Sequence, residues 1–250
     1  MSENLTEVGV IGAGSWGTAL AMLLADKGHD VEIWAYEEEC ARAINEEREN
    51  TLFLPDIKIK EEMKLRASND LEEVCSDKGL IVSVTPSHVT RDVLSAAAAY
   101  LPEHVPILSC TKGIENETLQ TISEVLEDVL PLRFHPYLAY LSGPSFAVEV
   151  AKEVPTTVVV ASYSERLAIW AQHLFNHRYF RVYRSTDVMG VELGGSLKNV
   201  IALAAGTAEG MGFGHNSRAG LITRGLAEIS RMAVARGANP LTLAGLSGMG

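Results

Sequence analysis

Two short segments of this sequence carry residue types suited to chemistry. The first is Gly12-Ala13-Gly14-Ser15-Trp16-Gly17. Glycines at this spacing suit a backbone that must turn sharply, approach a phosphate closely and pack a helix tightly on a strand. The second is Val191-Glu192-Leu193-Gly194-Gly195-Ser196-Leu197-Lys198-Asn199, where two adjacent glycines precede a lysine by about one helical turn. Inside a helix each glycine costs about 1 kcal/mol relative to alanine. Side chains lean toward the helix N-terminus, so Lys198 lies over the two bare positions. The pattern leaves space beside an ammonium group for a small ligand or for another backbone, and spacing alone favours neither.

The elements around these segments must position them. Val8-Gly9-Val10-Ile11 reads as a buried strand, Thr18–Ala25 as a helix stopped at Gly28, and Val31-Glu32-Ile33-Trp34 as a second strand. Strand, glycines, helix and strand within about 30 residues form the context of a dinucleotide-binding unit, in which the helix N-terminus receives the phosphates. Further strands are expected at 80–84, 105–110 (Pro106 confining it to a strand start or an edge), 138–141, 156–161 and 180–183. Asn69 and Glu72 resemble a capping box, and Ser87 and Ser164 are placed to cap the helices that follow them. A further helix is expected near 117–128. The alternation predicts an α/β fold with a doubly wound, mostly parallel sheet. From Thr186 no strand-like run follows. Long helices are expected at 188–210 and 217–236, and Asn239-Pro240 opens another with proline at its first position. The boundary is placed at 188, giving a dinucleotide-binding domain (1–188) and an all-helical domain (189–250). With only about 60 residues, the second reads as incomplete.

The formal charge of the 250-residue chain is −11, which disfavours nucleic acid or an anionic membrane as partner, so an anionic small ligand needs a local site. Met1–Leu5 lacks the basic and apolar regions of a signal peptide, and no apolar run approaches the ~20 residues of a membrane span. Cys40, Cys75 and Cys110 suggest neither a disulfide framework nor a zinc cluster, and no ligand spacing supports a metal. Together these features point to the cytoplasm.

Gly12–Ala19, Pro86-Ser-His88, Thr111-Lys-Gly113, Ser142-Gly-Pro-Ser-Phe-Ala147, Val191–Val200 and Leu221–Glu228 occur in this order along essentially the whole chain. Together they resemble the NAD(P)-dependent glycerol-3-phosphate dehydrogenases of the bacterial type. The resemblance implies an N-terminal Rossmann-type domain, an all-helical C-terminal domain and an active site between them. It also implies reversible hydride transfer between C2 of sn-glycerol 3-phosphate and a nicotinamide, with reduction of dihydroxyacetone phosphate feeding phospholipid synthesis, and a homodimer. It assigns Lys198 as the catalytic proton acceptor and Lys112 as a contact to substrate and cofactor. Gly143 and Ser145 become substrate contacts, and Gly12, Gly14, Ser15, Trp16, Gly17, Tyr36 and Ala147 cofactor contacts. Lys112 is the candidate neighbour for lowering the pKa of Lys198. Asn199, Asn216, Ser217, Arg218 and Arg224 lie in family-like segments but suit capping and solvated faces equally, and His88 suits a structural role. The family pattern continues past Gly-Met-Gly with an aspartate and a Ser-Arg-Asn segment that this sequence does not contain, which implies half a substrate site. After the second strand, Tyr36-Glu37-Glu38-Glu39 would repel a 2′-phosphate, and Glu37 can accept from a ribose 2′-OH, so the choice between NAD and NADP leans toward NAD. Two other readings stand beside this one. They are a lysine-dependent dehydrogenase of another small hydroxy or keto acid, and a non-catalytic dinucleotide-binding module.

Overall fold

A computed structural model describes residues 6–249. Met1–Leu5, read above for a signal sequence, lie outside the described residues, as does Gly250. Among the described residues eight strands form one sheet: β1 (Glu7–Ile11), β2 (Asp30–Trp34), β3 (Leu65–Ser68), β4 (Leu80–Ser83), β5 (Ile107–Ser109), β6 (Leu138–Ser142), β7 (Thr156–Ala161) and β8 (Phe180–Ser185). Their order is β3-β2-β1-β4-β5-β6-β7-β8. The helices are α1 (Ser15–Asp26), α2 (Glu38–Arg42), α3 (Leu71–Cys75), α4 (Ser87–Ala97), α5 (Ile122–Val129), α6 (Ala147–Ala151), α7 (Glu165–Phe175), α8 (Val188–Gly210), α9 (His215–Ala235) and α10 (Pro240–Leu243).

β1 is flanked by β2 and β4, both parallel to it, with Val8 opposite Val31 and Leu80. Connections leave β1 in opposite directions, so a crevice opens at the C-terminal ends of β1 and β4, where such sheets bind ligands. Val8, Val10 and Ile11 are fully buried because helices cover both faces. Leu20, Leu23 and Leu24 of α1 fill one layer with Val31 and Ile33. Leu94, Leu126 and Phe134 fill the other with Ile81 and Ile107.

β6 and β7 are antiparallel, with Leu141 opposite Val160, while β7 and β8 are parallel. This reversal has a consequence for Lys198. β8 ends at the opposite edge of the sheet from β6, so α8 starts there and climbs back along β6. From Val188 to Lys198 the rise is about 15 Å, close to the ~17 Å length of a five-residue strand. The lysine therefore emerges at the C-terminal edge of the parallel strands. Val188, Val191, Glu192 and Leu193 are buried on the way. Asp187 caps α8 by accepting the Gly190 N–H at 2.9 Å and also accepts the Asn239 N–H at 2.9 Å, joining both ends of the helical region. Leu193, Ile229, Ala233, Ala238 and Leu243 form its small core.

Several local expectations are corrected. The cap of α3 is Asp70, whose carboxylate accepts the Glu72 N–H at 2.8 Å, whereas Asn69 donates to the Ala35 carbonyl at 2.6 Å and so braces the end of β2. Ser87 is the first helical residue of α4 rather than its cap. The helix expected near 117–128 runs from Ile122, behind a capping box of Thr121 and Glu124. The strand at 105–110 shrinks to Ile107–Ser109, leaving Pro106 outside. β3 was not anticipated, because four residues alternating at a sheet edge give little signal. Contrary to expectation, α8 is long and apolar enough to cross a membrane by length and composition. Its first turns, however, are packed against the sheet, and Glu192 and Lys198 lie along it.

Candidate active site

The glycine loop joins β1 to α1. Gly12 has φ +116°, a left-handed conformation that favours glycine, and a Cβ there would stand 2.9 Å from the Val84 carbonyl oxygen. At Gly17 a Cβ would fall 1.9 Å from the Gly12 oxygen, so helix and turn could not meet. At Gly14 no atom of the described residues lies within 4 Å of that position. Gly14 also caps the twelve-residue α1 without a side-chain hydrogen bond. Two glycines are thus required by packing and one leaves an opening at a helix N-terminus, as a diphosphate requires. Among the described residues the Trp16 indole N–H beside it is buried without a partner.

Lys112 follows β5 and binds across the sheet edge. Its ammonium donates to the Gly143 carbonyl at 3.3 Å and to Ser145 Oγ at 3.1 Å, and lies 5.8 Å from the centroid of the Trp16 ring. The loop after β6 and the first turn of α1 thus meet at one cation. Gly143 has φ +138°, and a Cβ there would sit 2.9 Å from Val158 Cα, so β7 holds this turn in place. The Gly113 N–H donates to Ser196 Oγ at 3.1 Å, tying the Lys112 loop to α8.

Lys198 joins Lys112, Gly143, Ser145, Phe146 and Asn199 around a cavity of about 410 Å3, which is also lined by Ile222 and Ile229 of α9. Burial, and then the charge of Lys112, bring the pKa of Lys198 down to about 8. Burial also lowers that of Lys112. The space expected over the two glycines is taken by protein. A Cβ on Gly194 would lie 2.8 Å from the Ser247 backbone, and one on Gly195 would lie 2.2 Å from Ser142 Oγ. These glycines therefore let α8 approach the end of β6 and the segment after α10, and the opening lies beside Lys198 itself.

Residues 7–168 match the family model for the N-terminus of NAD-dependent glycerol-3-phosphate dehydrogenase, and residues 187–250 match the model for its C-terminus. The chain is 56% identical over 241 residues to a glycerol-3-phosphate dehydrogenase [NAD(P)+] of Myxococcus xanthus, covering 96% of this chain and 71% of that protein. Among solved structures, a glycerol-3-phosphate dehydrogenase of Coxiella burnetii superposes with a TM-score of 0.90 at 36% identity, over 98% of this chain and 74% of the other. The chain belongs to the NAD-dependent glycerol-3-phosphate dehydrogenase family. The doubly wound sheet is accordingly the Rossmann-like part of the fold of this dehydrogenase family, and the helices from α8 onward are its helical part.

The remaining candidates lie outside the lining of this cavity. Ala147 opens α6, which packs on α1. Ser15 starts α1, placing it with Trp16 in the first turn of the helix, directly after the glycine loop. Tyr36 is exposed at the end of β2 and touches Trp34 edge-on, with centroids 6.1 Å apart. Glu37, Glu38 and Glu39 are exposed beside it. Arg218 pairs with Glu209 and His215, and Arg224 with Glu228, so both serve helix-surface pairs. Asn216 and Ser217 are exposed on the first turn of α9, and His88 is exposed on α4. Among the described residues no group of three or more His, Cys, Asp or Glu is placed to hold a metal ion. All three cysteines are free and buried, and burial raises the pKa of each thiol.

Glu192 was missed because a glutamate in a helix ordinarily faces water. Here it is buried. One carboxyl oxygen accepts the Ser123 N–H at 2.9 Å and the other is bonded to Ser123 Oγ, clamping α8 to the start of α5. Burial raises its pKa from 4.5 to about 7, against the opposing hydrogen bonds from Ser123. The folded state thus holds this proton more tightly than the unfolded chain. Its contribution to stability falls as pH rises from about 4.5 to about 7 and stays low above. Glutamine reproduces the neutral acid, accepting from Ser123 N–H and donating to its hydroxyl. Glu192→Gln is therefore expected to match wild type in urea unfolding at pH 4.5 and to exceed it by up to ~3 kcal/mol at pH 8. An equal loss at both pH values would show that the carboxyl is held ionised.

Proposed function

We propose that this chain is a glycerol-3-phosphate dehydrogenase in activity as well as family, interconverting dihydroxyacetone phosphate and sn-glycerol 3-phosphate with NAD(H) or NADP(H). The observation that carries the reading is the cavity at which Lys198, its pKa drawn down to about 8, and Lys112 meet beside the glycine loop. The open position at Gly14, the uncapped start of α1 and the unpartnered Trp16 N–H fit a bound dinucleotide. Gly12, Gly14, Ser15, Trp16 and Gly17 would hold its diphosphate side, Tyr36 its adenosine ribose, and Lys112 and Ala147 the part nearer the substrate. The nicotinamide, when bound, supplies or accepts the hydride at C2 of the substrate.

The chain's own residues do the rest. With a pKa near neutrality, Lys198 is accessible in both protonation states. Its ammonium polarises the ketone and delivers a proton to the developing alkoxide. In the reverse direction the neutral amine takes that proton from the alcohol. Lys112, aimed by the Gly143 carbonyl and Ser145 Oγ, supplies the fixed positive charge that a chain of net charge −11 must provide locally for an anionic substrate. Gly143 and Ser145 complete the substrate contacts. The two-domain division at 188, a homodimer and a cytoplasmic place in phospholipid-precursor synthesis belong to the same reading.

The test is oxidation of NADH, followed by absorbance, with dihydroxyacetone phosphate and with unphosphorylated hydroxyacetone and small keto acids. Turnover confined to the phosphorylated ketone is expected. Turnover with an unphosphorylated keto acid alone would transfer the reading to another lysine-dependent dehydrogenase, and NADH binding without turnover on any of them would leave a binding module. Cofactor choice is expected to favour NADH over NADPH, because Glu37–Glu39 face a 2′-phosphate with negative charge. Glu37→Arg should lower the KM for NADPH about 10-fold or more. An unchanged KM would place the 2′ position elsewhere.

A further inference from the structure

Asn50 lies 37 residues from Ala13 in sequence and is buried with it beneath the glycine loop. It stands after α2 and the π-helical stretch Ala43–Glu47, a segment with no part in the site described above. Its amide nitrogen donates to the Ala13 carbonyl at 2.7 Å and to Thr18 Oγ1 at 2.8 Å. Its amide oxygen accepts from the Phe53 N–H at 3.0 Å and from the Cys40 thiol at 3.4 Å. Two donors and two acceptor sites are what an asparagine side chain possesses, so every one is used, and its orientation is fixed from both sides.

The Ala13 carbonyl belongs to the peptide that also carries the Gly14 N–H. A trans peptide is planar, with its C=O and N–H pointing in opposite directions. Drawing the carbonyl inward onto Asn50 therefore turns the Gly14 N–H away from the core. Gly14 is also the loop position with open space around it. We propose that Asn50 is a positioning residue for the phosphate bridge of the dinucleotide: it fixes the Ala13–Gly14 peptide so that the Gly14 N–H meets an anionic diphosphate. The inference rests on the reading that this loop holds a dinucleotide.

Asn50→Asp keeps the shape but replaces the donating nitrogen with an oxygen that repels the Ala13 carbonyl. Asn50→Ala removes the side chain. In both, the Kd for NADH is expected to rise roughly 10- to 100-fold, the loss of one charge-assisted hydrogen bond. The kcat at saturating NADH and the KM for dihydroxyacetone phosphate should stay within about threefold of wild type. In competition with NADH, ADP should lose the same factor and adenosine, which lacks the diphosphate, should lose none. Thr18→Val is the graded control: it removes the second acceptor of Asn50 and the longer 3.4 Å bond from Thr18 Oγ1 to the Ala13 carbonyl, but leaves the 2.7 Å bond from Asn50. Its melting temperature should fall, while its affinity for NADH falls far less than that of Asn50→Asp. Equal losses for ADP and adenosine, or NADH affinity in Thr18→Val falling as far as in Asn50→Asp, would reduce Asn50 to a structural residue and overturn the inference. Unchanged NADH affinity in the Asn50 variants would do so too. Failure of the unsubstituted chain to bind NADH would instead remove the dinucleotide reading itself.

Discussion

Lys198→Ala is expected to lower the rate of dihydroxyacetone phosphate reduction by about 10^3-fold, the size of a lost general acid, while leaving NADH affinity within about twofold. Lys198→Arg should not rescue it, since a guanidinium cannot be deprotonated in the accessible pH range. The pH profile carries the finer test. Burial and Lys112 both disfavour the charged form of Lys198. Oxidation of sn-glycerol 3-phosphate, which needs the neutral amine, should therefore rise as pH passes about 8, and reduction, which needs the ammonium, should fall there. Lys112→Met should move both inflections upward, but only part of the way to 10.5, because burial is the larger cause. The sign for stability runs with this. A lysine whose pKa is lower when folded opposes folding below pH 8 and recovers stability as pH rises from about 8 to 10.5. Lys198→Met should thus melt higher than wild type at pH 7 despite being inactive. A profile without an inflection near 8, or a reduction rate unchanged in Lys198→Ala, would assign the proton to another group.

The second large effect distinguishes two kinds of glycine within one loop. In Gly17→Ala the new methyl would sit 1.9 Å from the Gly12 carbonyl oxygen, and backbone cannot yield as a flexible side chain does. Several kcal/mol of stability should be lost, with cofactor binding lost alongside. Gly14 has φ −64°, which alanine adopts freely, and nothing lies within 4 Å of the position a Cβ would take. Gly14→Ala should therefore unfold within about 1 kcal/mol of wild type and yet bind NADH at least roughly 10-fold more weakly, because the methyl occupies the approach of the diphosphate. Denaturant unfolding and fluorescence titration of NADH on the same two proteins check both halves. Equal NADH affinity in Gly14→Ala and wild type would mean that no ligand comes near this backbone.

What the sequence by itself determined was local. The glycine loop, Lys112 after a strand and Lys198 on a long helix could be read because each feature meets the needs of its own few residues. A turn needs glycine, a buried parallel strand needs an unbroken apolar run, and a helix start needs a cap. Even there the signal blurred over one or two positions. Asn69 and Asp70 are both good caps, and the choice fell to Asp70 because the Asn69 amide is drawn to the Ala35 carbonyl just past β2.

The tertiary structure decided everything that depends on residues meeting across long separations. It filled the space over Gly194 and Gly195 with Ser247 and Ser142. It reversed β7 so that α8 delivers Lys198 to the same edge as Lys112. It buried Glu192 against Ser123, 69 residues away, and Asn50 against Ala13, 37 residues away. A polar residue has one identity on the page and many environments available to it. Whether Glu192 is a solvated helix residue or a buried acid with a raised pKa, and whether Asn50 is a loop residue or the anchor of a phosphate-binding peptide, follows from desolvation and hydrogen bonding, and these exist only once the distant partner has packed against it.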